Sequence, residues 1–483
     1  MSWDGRIERL DGNRWRIPSD YMDGMRTDAV IYADESMIDQ IRSDNSPQQA
    51  ANVACLPGIV GSSMAMPDIH FGYGFPIGGV AAVDANDGSI SPGGIGFDIN
   101  CGVRLIKTDL TLDDVGGDLK KLVDELYKNV PSGLGSKGLT RIGDKEITEI
   151  LQNGSEWAVE NGFGWDKDLD VTEEHGKMLT ADPSFVSDKA RKRGLSQLGS
   201  LGSGNHFLEV DVVEDVFDEH TAKVFGLKEG QITVTVHCGS RGCGHQIATD
   251  YLQAMEHYVK ENSVDLPDRQ LACAPLNSRI GEEYFAAMSC GANYAWANRQ
   301  MITHWIRESF ENIMSDSAEN MGIDVVYDVA HNIAKMERHD VSGTMMDVLV
   351  HRKGATRAFC AGRPEVTMKY RDVGQPVIVP GDMSAGTYVL VGRKGSMEQT
   401  FGSSCHGAGR QMSRKSAVKT MNAKAIKESM ASSNIYLRNG SDEGLVEEAP
   451  QAYKDVDSVV EIVCNAGLTG KVARLRPVGV VKG

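Results

Sequence analysis

The chain has 483 residues, of which 41% are hydrophobic and 24% charged, enough to bury a large core without disulfide staples. A formal net charge of −17 excludes a surface that is basic throughout, although a local basic patch on an acidic body remains compatible with an anionic partner. The nine cysteines are scattered, odd in number and without a C-x-x-C pair, which excludes a zinc ribbon or thioredoxin motif and fits a reducing compartment.

The N-terminal MSWDGRIERLDGNRWRIP is charged and has no apolar core, so it does not read as a signal peptide. No run of 18 apolar residues follows, which predicts no membrane span and a cytoplasmic protein. Residues 72–102 hold nine glycines in 31 positions, a density that marks turns and close approach of backbone to backbone or to a ligand. This segment ends in SPGGIGFDINCG, where Asp98 and Cys101 form a D-x-x-C pair ahead of the strand-like GVRLIK.

Residues 118–129 predict a helix, because Leu119, Leu122, Val123 and Leu126 follow the i, i+3, i+4, i+7 spacing. Residues 140–190 are polar without clear periodicity and read as a surface insertion. Nothing resembling a Pro/Gly/Ser linker divides the rest, so residues 1–483 read as one catalytic domain. His206 opens FLEVDVV, with Asn205 and Glu209 on either side of Phe207 at even spacing and so on one face of a strand. Gln231–Val236 alternates Ile232, Val234 and Val236 and then meets His237. A long helix is predicted within 283–314, its Met, Trp and Ile positions serving as core. The β-branched run from Ile323 to Ala330 meets His331.

Asp98, Cys101, His206, His237 and His331 are candidate metal ligands at strand ends, where loops converge. Any one of them alone is more often an inert thiol or a hydrogen-bonded imidazole. Together they suffice for two adjacent cations, which can hold one phosphate from both sides during an in-line displacement. By ligand softness the set suits zinc or cobalt.

Residues 402–410 read GSSCHGAGR. His406 sits among small residues whose backbone N–H groups can cradle phosphate, and a neutral imidazole is a competent nucleophile. Cys405 is a rival nucleophile, and a loop histidine with one backbone hydrogen bond is the plainer alternative. Arg410 is placed to hold a phosphate. Basic clusters at 189–193, 351–357 and 410–419, and the C-terminal KVARLRPVGVVK, offer a track for an anionic substrate, with Arg191, Arg352, Lys353 and Arg410, and Arg241 outside the clusters, as candidate phosphate contacts. Charge runs of this kind are commonly solvated faces.

The segments MPDIHFGYGFPIGG (66–79), GIGFDINCGVR (94–104), LGSGNHFLEV (201–210), HCGSRGCGHQ (237–246), ANYAWANRQ (292–300), DVAHN (328–332), HRKGATRA (351–358) and FGSSCHGAGR (401–410) resemble, in order, the RtcB family of RNA ligases. The resemblance implies an α+β fold with packed β-sheets at its centre, helices around them and the active site at the strand ends. It implies joining of RNA 2′,3′-cyclic-phosphate or 3′-phosphate ends to 5′-OH ends in tRNA splicing and RNA repair, with tRNA halves or broken RNA as substrates and archease as an activating partner. GTP would guanylylate His406, and two manganese ions would sit on Asp98, Cys101, His206, His237 and His331, with Cys101 bridging. Asn205, Glu209, Asp382, Thr387, Ala408, Gly409, Tyr453 and Lys482 match nucleotide contacts. Asp382 departs from the family, where Ser is more frequent, and Cys238 and Cys243 stand where small or apolar residues are expected. A binuclear phosphoesterase and a non-catalytic RNA-binding subunit are the alternatives.

Overall fold

The β-branched runs form strands because their stiff side chains pack on a pleated surface, and antiparallel pairing assembles most of them. A computed structural model describes residues 3–483 as a mixed α+β architecture with two large sheets and flanking helices. The eight-stranded sheet runs Asp324–Ala330, Gly102–Thr111, Gln231–Cys238, Phe207–Val216, Thr469–Lys482, Thr387–Gly392, Pro376–Pro380, with Tyr436–Asn439 joined in parallel to the end of Thr469–Lys482. The seven-stranded sheet runs Glu8–Arg9, Arg14–Ile17, Ala29–Tyr32, Ile59–His70, Ile77–Asp84, Thr344–Lys353, Asn332–Val341.

Strand alternation distributes side chains between two cores. In Pro376–Pro380 and Thr387–Gly392, Ile378, Val389 and Val391 join one cluster with Val234, Val236 and Leu475. Val377, Val379 and Leu390 point the other way and meet Met64, Ala65, Val80 and Val350 of the seven-stranded sheet. Each fully buried aliphatic side chain contributes roughly 1.5–3 kcal/mol, so the contact between the sheets is held by many such increments.

The helix predicted at 118–129 spans Leu119–Asn129 and buries Leu122, Val123 and Leu126. The long helix spans Arg279–Met314; Ser278 caps it by accepting the Gly281 N–H, so it starts one turn ahead of the periodic segment. It is buried over most of its length and carries fully buried Asn293, Asn298, Arg299 and Gln300 beside the apolar Trp296 and Met301. Residues 140–190 form short helices, among them Asp144–Asn153 and Ser155–Glu160. Their Ile147, Ile150, Leu151 and Trp157 pack with Tyr294 and Trp296 of the long helix. Periodicity was hard to see there because each helix offers only two or three apolar positions. Among the described residues, no helix is long and apolar enough to cross a membrane.

Candidate functional site: a histidine row beside a nucleotide-sized cavity

In an antiparallel sheet, neighbouring strands bring opposite ends to one rim. Asp324–Ala330, Gly102–Thr111, Gln231–Cys238 and Phe207–Val216 are such neighbours, with Ala330 opposite Gly102, Val103 opposite His237, and His237 opposite Phe207. His331, Cys101, His237 and His206 therefore arrive side by side, although they are up to 230 positions apart in sequence (331 − 101). Cys101 Sγ lies 3.2 Å from His237 Nε2 and 3.4 Å from His206 Nε2. His237 Nε2 lies 3.2 Å from His331 Nε2. Asp98 Oδ2 completes the other end, 2.8 Å from His206 Nε2. The donors form two groups that share the thiol: Cys101, His237 and His331, and Asp98, Cys101 and His206.

This donor set fits divalent cations on chemical grounds. His206 donates its Nδ1–H to the Leu201 carbonyl at 2.9 Å and its Nε2–H to Asp98; against the effect of burial, the Cys238 and Cys101 sulfurs and Asp98 hold it well above the ordinary imidazole value, so a cation at Nε2 would have to displace that proton. Burial first, and then neighbouring imidazoles, hold His237 and His331 well below the ordinary imidazole value, so both are neutral, and their Nε2 atoms face one another. A carboxylate, a thiol and three imidazole nitrogens converging in this way can share cations between them. Burial and Asp98 push the Cys101 thiol up to about 12, so a cation would have to displace its proton.

The long helix holds the loops that carry these candidate ligands. Arg299 pairs with both oxygens of Asp328 at 2.8 Å, and its NH1 donates at 2.8 Å to the carbonyls of Asn100 and Cys238, the neighbours of Cys101 and His237. Asn298 accepts from Gly199 N at 2.7 Å and donates to the sulfur of Cys238 at 3.1 Å. Cys238 is thus hydrogen-bonded and buried behind the candidate metal ligands, its Sγ also facing the Ser200 and Leu201 carbonyls, and Cys243 packs in the core beside Tyr294. Asn332 donates to the Asp98 carbonyl at 3.1 Å and accepts from Gly354 N at 2.9 Å.

His406 follows the short strand Ser403–Cys405, which pairs with Ala355–Arg357. Its ring centroid lies 4.8 Å from that of His331, extending the row His206, His237, His331, His406. Asp68 Oδ2 accepts the His406 backbone N–H at 3.0 Å and its Nδ1–H at 2.6 Å. That tautomer leaves Nε2 with a free lone pair. Gly354 adopts φ +60°, and a Cβ there would stand 3.2 Å from His406 Cε1, so the close approach requires glycine. Cys405 is fully buried, and burial holds its thiol well above the usual range, which leaves little reactive thiolate there.

The row opens onto a cavity of about 330 Å³ lined by Asn205, Glu209, Asp382, Ala408, Gly409, Arg410, Tyr453, Lys482 and His406, among others. Burial, and next the neighbouring Asp211, keep the Glu209 carboxyl well above the usual carboxylate range, while burial pulls Lys482 down. Asp382 spends Oδ1 on its own turn, accepting from Ser384 N at 2.8 Å, Ser384 Oγ at 2.6 Å and Ala385 N at 3.1 Å. Its charge is thereby partly absorbed at the cavity wall. Thr387 lies buried in its strand opposite Pro380 and Leu475, outside the lining.

The basic candidates separate. Arg410 lines the cavity and pairs with Glu448 at 3.2 Å. Arg241, at φ +53°, brings NH1 to 3.5 Å from His206 Nδ1. Arg352 is buried and bonded to both Glu337 oxygens at 2.5 and 2.8 Å and to Ser403 Oγ at 2.8 Å, so it buttresses the strand ahead of His406. Lys353 caps the carbonyls of Tyr73, Phe75 and Gly93. Arg191 donates to Thr148 Oγ1 at 2.9 Å and to the Val186 carbonyl at 3.2 Å, away from the cavity.

Sequence reasoning did not single out Asp68, Arg299, Lys454 or Glu448. Asp68 lay inside a quoted segment, but nothing in its spacing points to His406, 338 positions away. Lys454 donates to the carbonyls of Pro67 and Ile69 at 3.0 and 2.5 Å, fixing the backbone on both sides of Asp68.

A family model described as tRNA-splicing ligase RtcB matches residues 49–483. The chain belongs to the RtcB family. It is 56% identical over 477 residues to a tRNA-splicing ligase RtcB of Thermococcus kodakarensis, covering 99% of each chain. Similar RtcB proteins come from Methanococcus maripaludis, 54% identical over 477 residues and 99% of each chain, and Archaeoglobus fulgidus, 53% identical over 483 residues and the whole of both. The segments that carried the RtcB resemblance supply the ligand row, the His406 loop and the long helix that supports them.

Proposed function

We propose that this RtcB-family chain is an RNA ligase of tRNA splicing and RNA repair, that it uses GTP and manganese, and that it joins 3′-phosphate or 2′,3′-cyclic-phosphate ends to 5′-OH ends through GMP carried on His406. The observation that carries this reading is the His406 ring: Nδ1 is held by a buried carboxylate at 2.6 Å, while Nε2 is left free beside a nucleotide-sized cavity and next to the ligand row.

His406 Nε2 attacks the α-phosphorus of GTP; an N–P bond forms and the bond to pyrophosphate breaks. Asp68 keeps the Nδ1 proton and offsets the positive charge that the ring acquires. An oxygen of the RNA 3′-phosphate then attacks the same phosphorus, the N–P bond breaks, and the lone pair returns to His406. A cyclic-phosphate end is first opened by water to the 3′-phosphate. The 5′-OH then attacks the RNA phosphorus and loses its proton as GMP leaves. Two manganese ions, one on Asp98, Cys101 and His206 and the other on Cys101, His237 and His331, would supply positive charge around phosphorus.

Arg410, Lys482, Asn205 and Tyr453 line the space for the nucleotide, and Glu209 is the one acidic side chain in that wall whose oxygens lack a described partner within the protein, which suits it to the base. The test is incubation with α-labelled GTP and Mn²⁺. Acid-labile, alkali-stable label on the native protein and none on His406→Ala is the expected result. A native protein that never takes label yet hydrolyses cyclic phosphate would leave a phosphoesterase in its place.

A further inference from the structure

We propose that the ring of His245, backed by Phe97, is a stacking platform for the nucleobase at the 5′-hydroxyl end of the RNA; this rests on the ligase reading above. His245 is exposed near the start of the helix Arg241–Glu261. Phe97 lies against one face of it, with centroids 5.1 Å apart and planes at 25°. Tyr73 meets Phe97 edge-on at 5.4 Å and 67°. Phe97 is the residue immediately before the ligand Asp98, so the aromatic cluster adjoins the reacting centre.

The cluster is built in advance. Lys353 ties together the carbonyls of Tyr73, Phe75 and Gly93, and the Tyr73 hydroxyl donates to Glu256 at 3.4 Å. A rigid aromatic face loses little entropy when a base settles on it. Charge around it suits a polyanion. The helix Asp188–Gly194 packs against the helix that carries His245 and exposes Lys189, Lys192 and Arg193. Arg193 NH1 lies 3.5 Å from His245 Nδ1. Aromatic faces beside cationic side chains are how single strands are held without sequence preference.

Geometry selects which end of the RNA. The ligand row runs from His406 through His331 and His237 to His206 and Asp98. GMP is stored at the His406 end, and the platform stands at the Asp98 end. In an in-line displacement the entering oxygen and the leaving group lie on opposite sides of phosphorus. With GMP leaving toward His406, the 5′-OH enters from the Asp98 side, and its own base falls beside His245.

Two RNA strands, one with a 5′-OH and one with a 3′-phosphate, separate the ends. His245→Ala is expected to raise the KM of the 5′-OH strand about tenfold, while leaving its kcat, the KM of the 3′-phosphate strand and the GTP-dependent labelling of His406 at native values. His245→Phe, which keeps the face and loses the imidazole, is expected to restore the KM. A 2-aminopurine placed as the first base of the 5′-OH strand is quenched on binding to the native protein and not to His245→Ala; the same base at the 3′-phosphate terminus responds equally in both. An unchanged KM in His245→Ala, a loss that His245→Phe does not restore, or an effect confined to the 3′-phosphate strand overturns the platform. Absence of label on native His406 overturns the ligase reading instead.

Discussion

Asp68 Oδ2 binds His406 twice, at the backbone N–H (3.0 Å) and at ring Nδ1 (2.6 Å). The carboxylate therefore sets both the position of the loop and the tautomer of the ring, and buried Asp68 has no competing partner on Oδ1 among the described residues.

Asp68→Asn keeps the shape and removes the acceptor charge. An amide oxygen stabilises the protonated ring less, and an amide turned the other way favours the wrong tautomer. The rate of GMP transfer to His406 should fall by about 10²- to 10⁴-fold, as when the carboxylate partner of a catalytic histidine is neutralised. Single-turnover labelling with α-labelled GTP measures it, and labelling at the native rate would mean that Asp68 is only a structural hydrogen-bond acceptor.

Cys101 belongs to both ligand groups, whereas His206 belongs to one and His331 to the other. His206→Ala and His331→Ala should each retain one manganese per chain of the two that we propose, and Cys101→Ala should weaken both. Elemental analysis after equilibrium dialysis counts the ions. A Cys101→Ala protein that kept two would dismiss the bridging role.

Arg299→Met leaves Asp328 with Arg104 alone and strips the Asn100 and Cys238 carbonyls of their donor. Breaking a buried ion pair on one side costs about 3–5 kcal/mol. Urea unfolding should show a loss of that order, together with weaker metal binding, because the same guanidinium holds the loops of Cys101 and His237. A loss below about 1 kcal/mol would mean that Arg104 and water compensate.

His351 is fully buried and its Nε2 accepts the Ser91 N–H at 3.2 Å, which requires a neutral ring. Burial pulls its value down from 6.5 to about 4. Between those limits the unfolded chain binds the proton and the folded chain does not, so stability is complete above pH 6.5 and declines as pH falls toward 4. The full loss amounts to about 3 kcal/mol at 1.36 kcal/mol per pH unit. His351→Gln should flatten this part of the acid limb in denaturant titrations at several pH values. An acid limb identical in both proteins would assign the loss to other groups, such as His70, which burial also lowers to about 4.

The sequence by itself determined the chemistry available. Alternating β-branched runs ending at His237 and His331, the D-x-x-C of Asp98 and Cys101, and the small residues around His406 were readable because strand period, ligand type and loop composition are local properties. The long helix was readable in outline, but nothing in it marked Asn298 and Arg299 as buried supports, since their partners lie on loops about 60 to 200 residues away. Only the tertiary structure decided that four strand ends share one rim, because antiparallel pairing and not spacing sets which termini are neighbours. It also set His406 apart from Cys405, by burying the thiol and placing the carboxylate of Asp68 on the imidazole. It divided the basic residues between the cavity wall, where Arg410 lies, and the scaffold, where Arg352 is bound to Glu337. Charge in a sequence has no direction, and a cation becomes a scaffold element or a ligand contact only when folding gives it a neighbour.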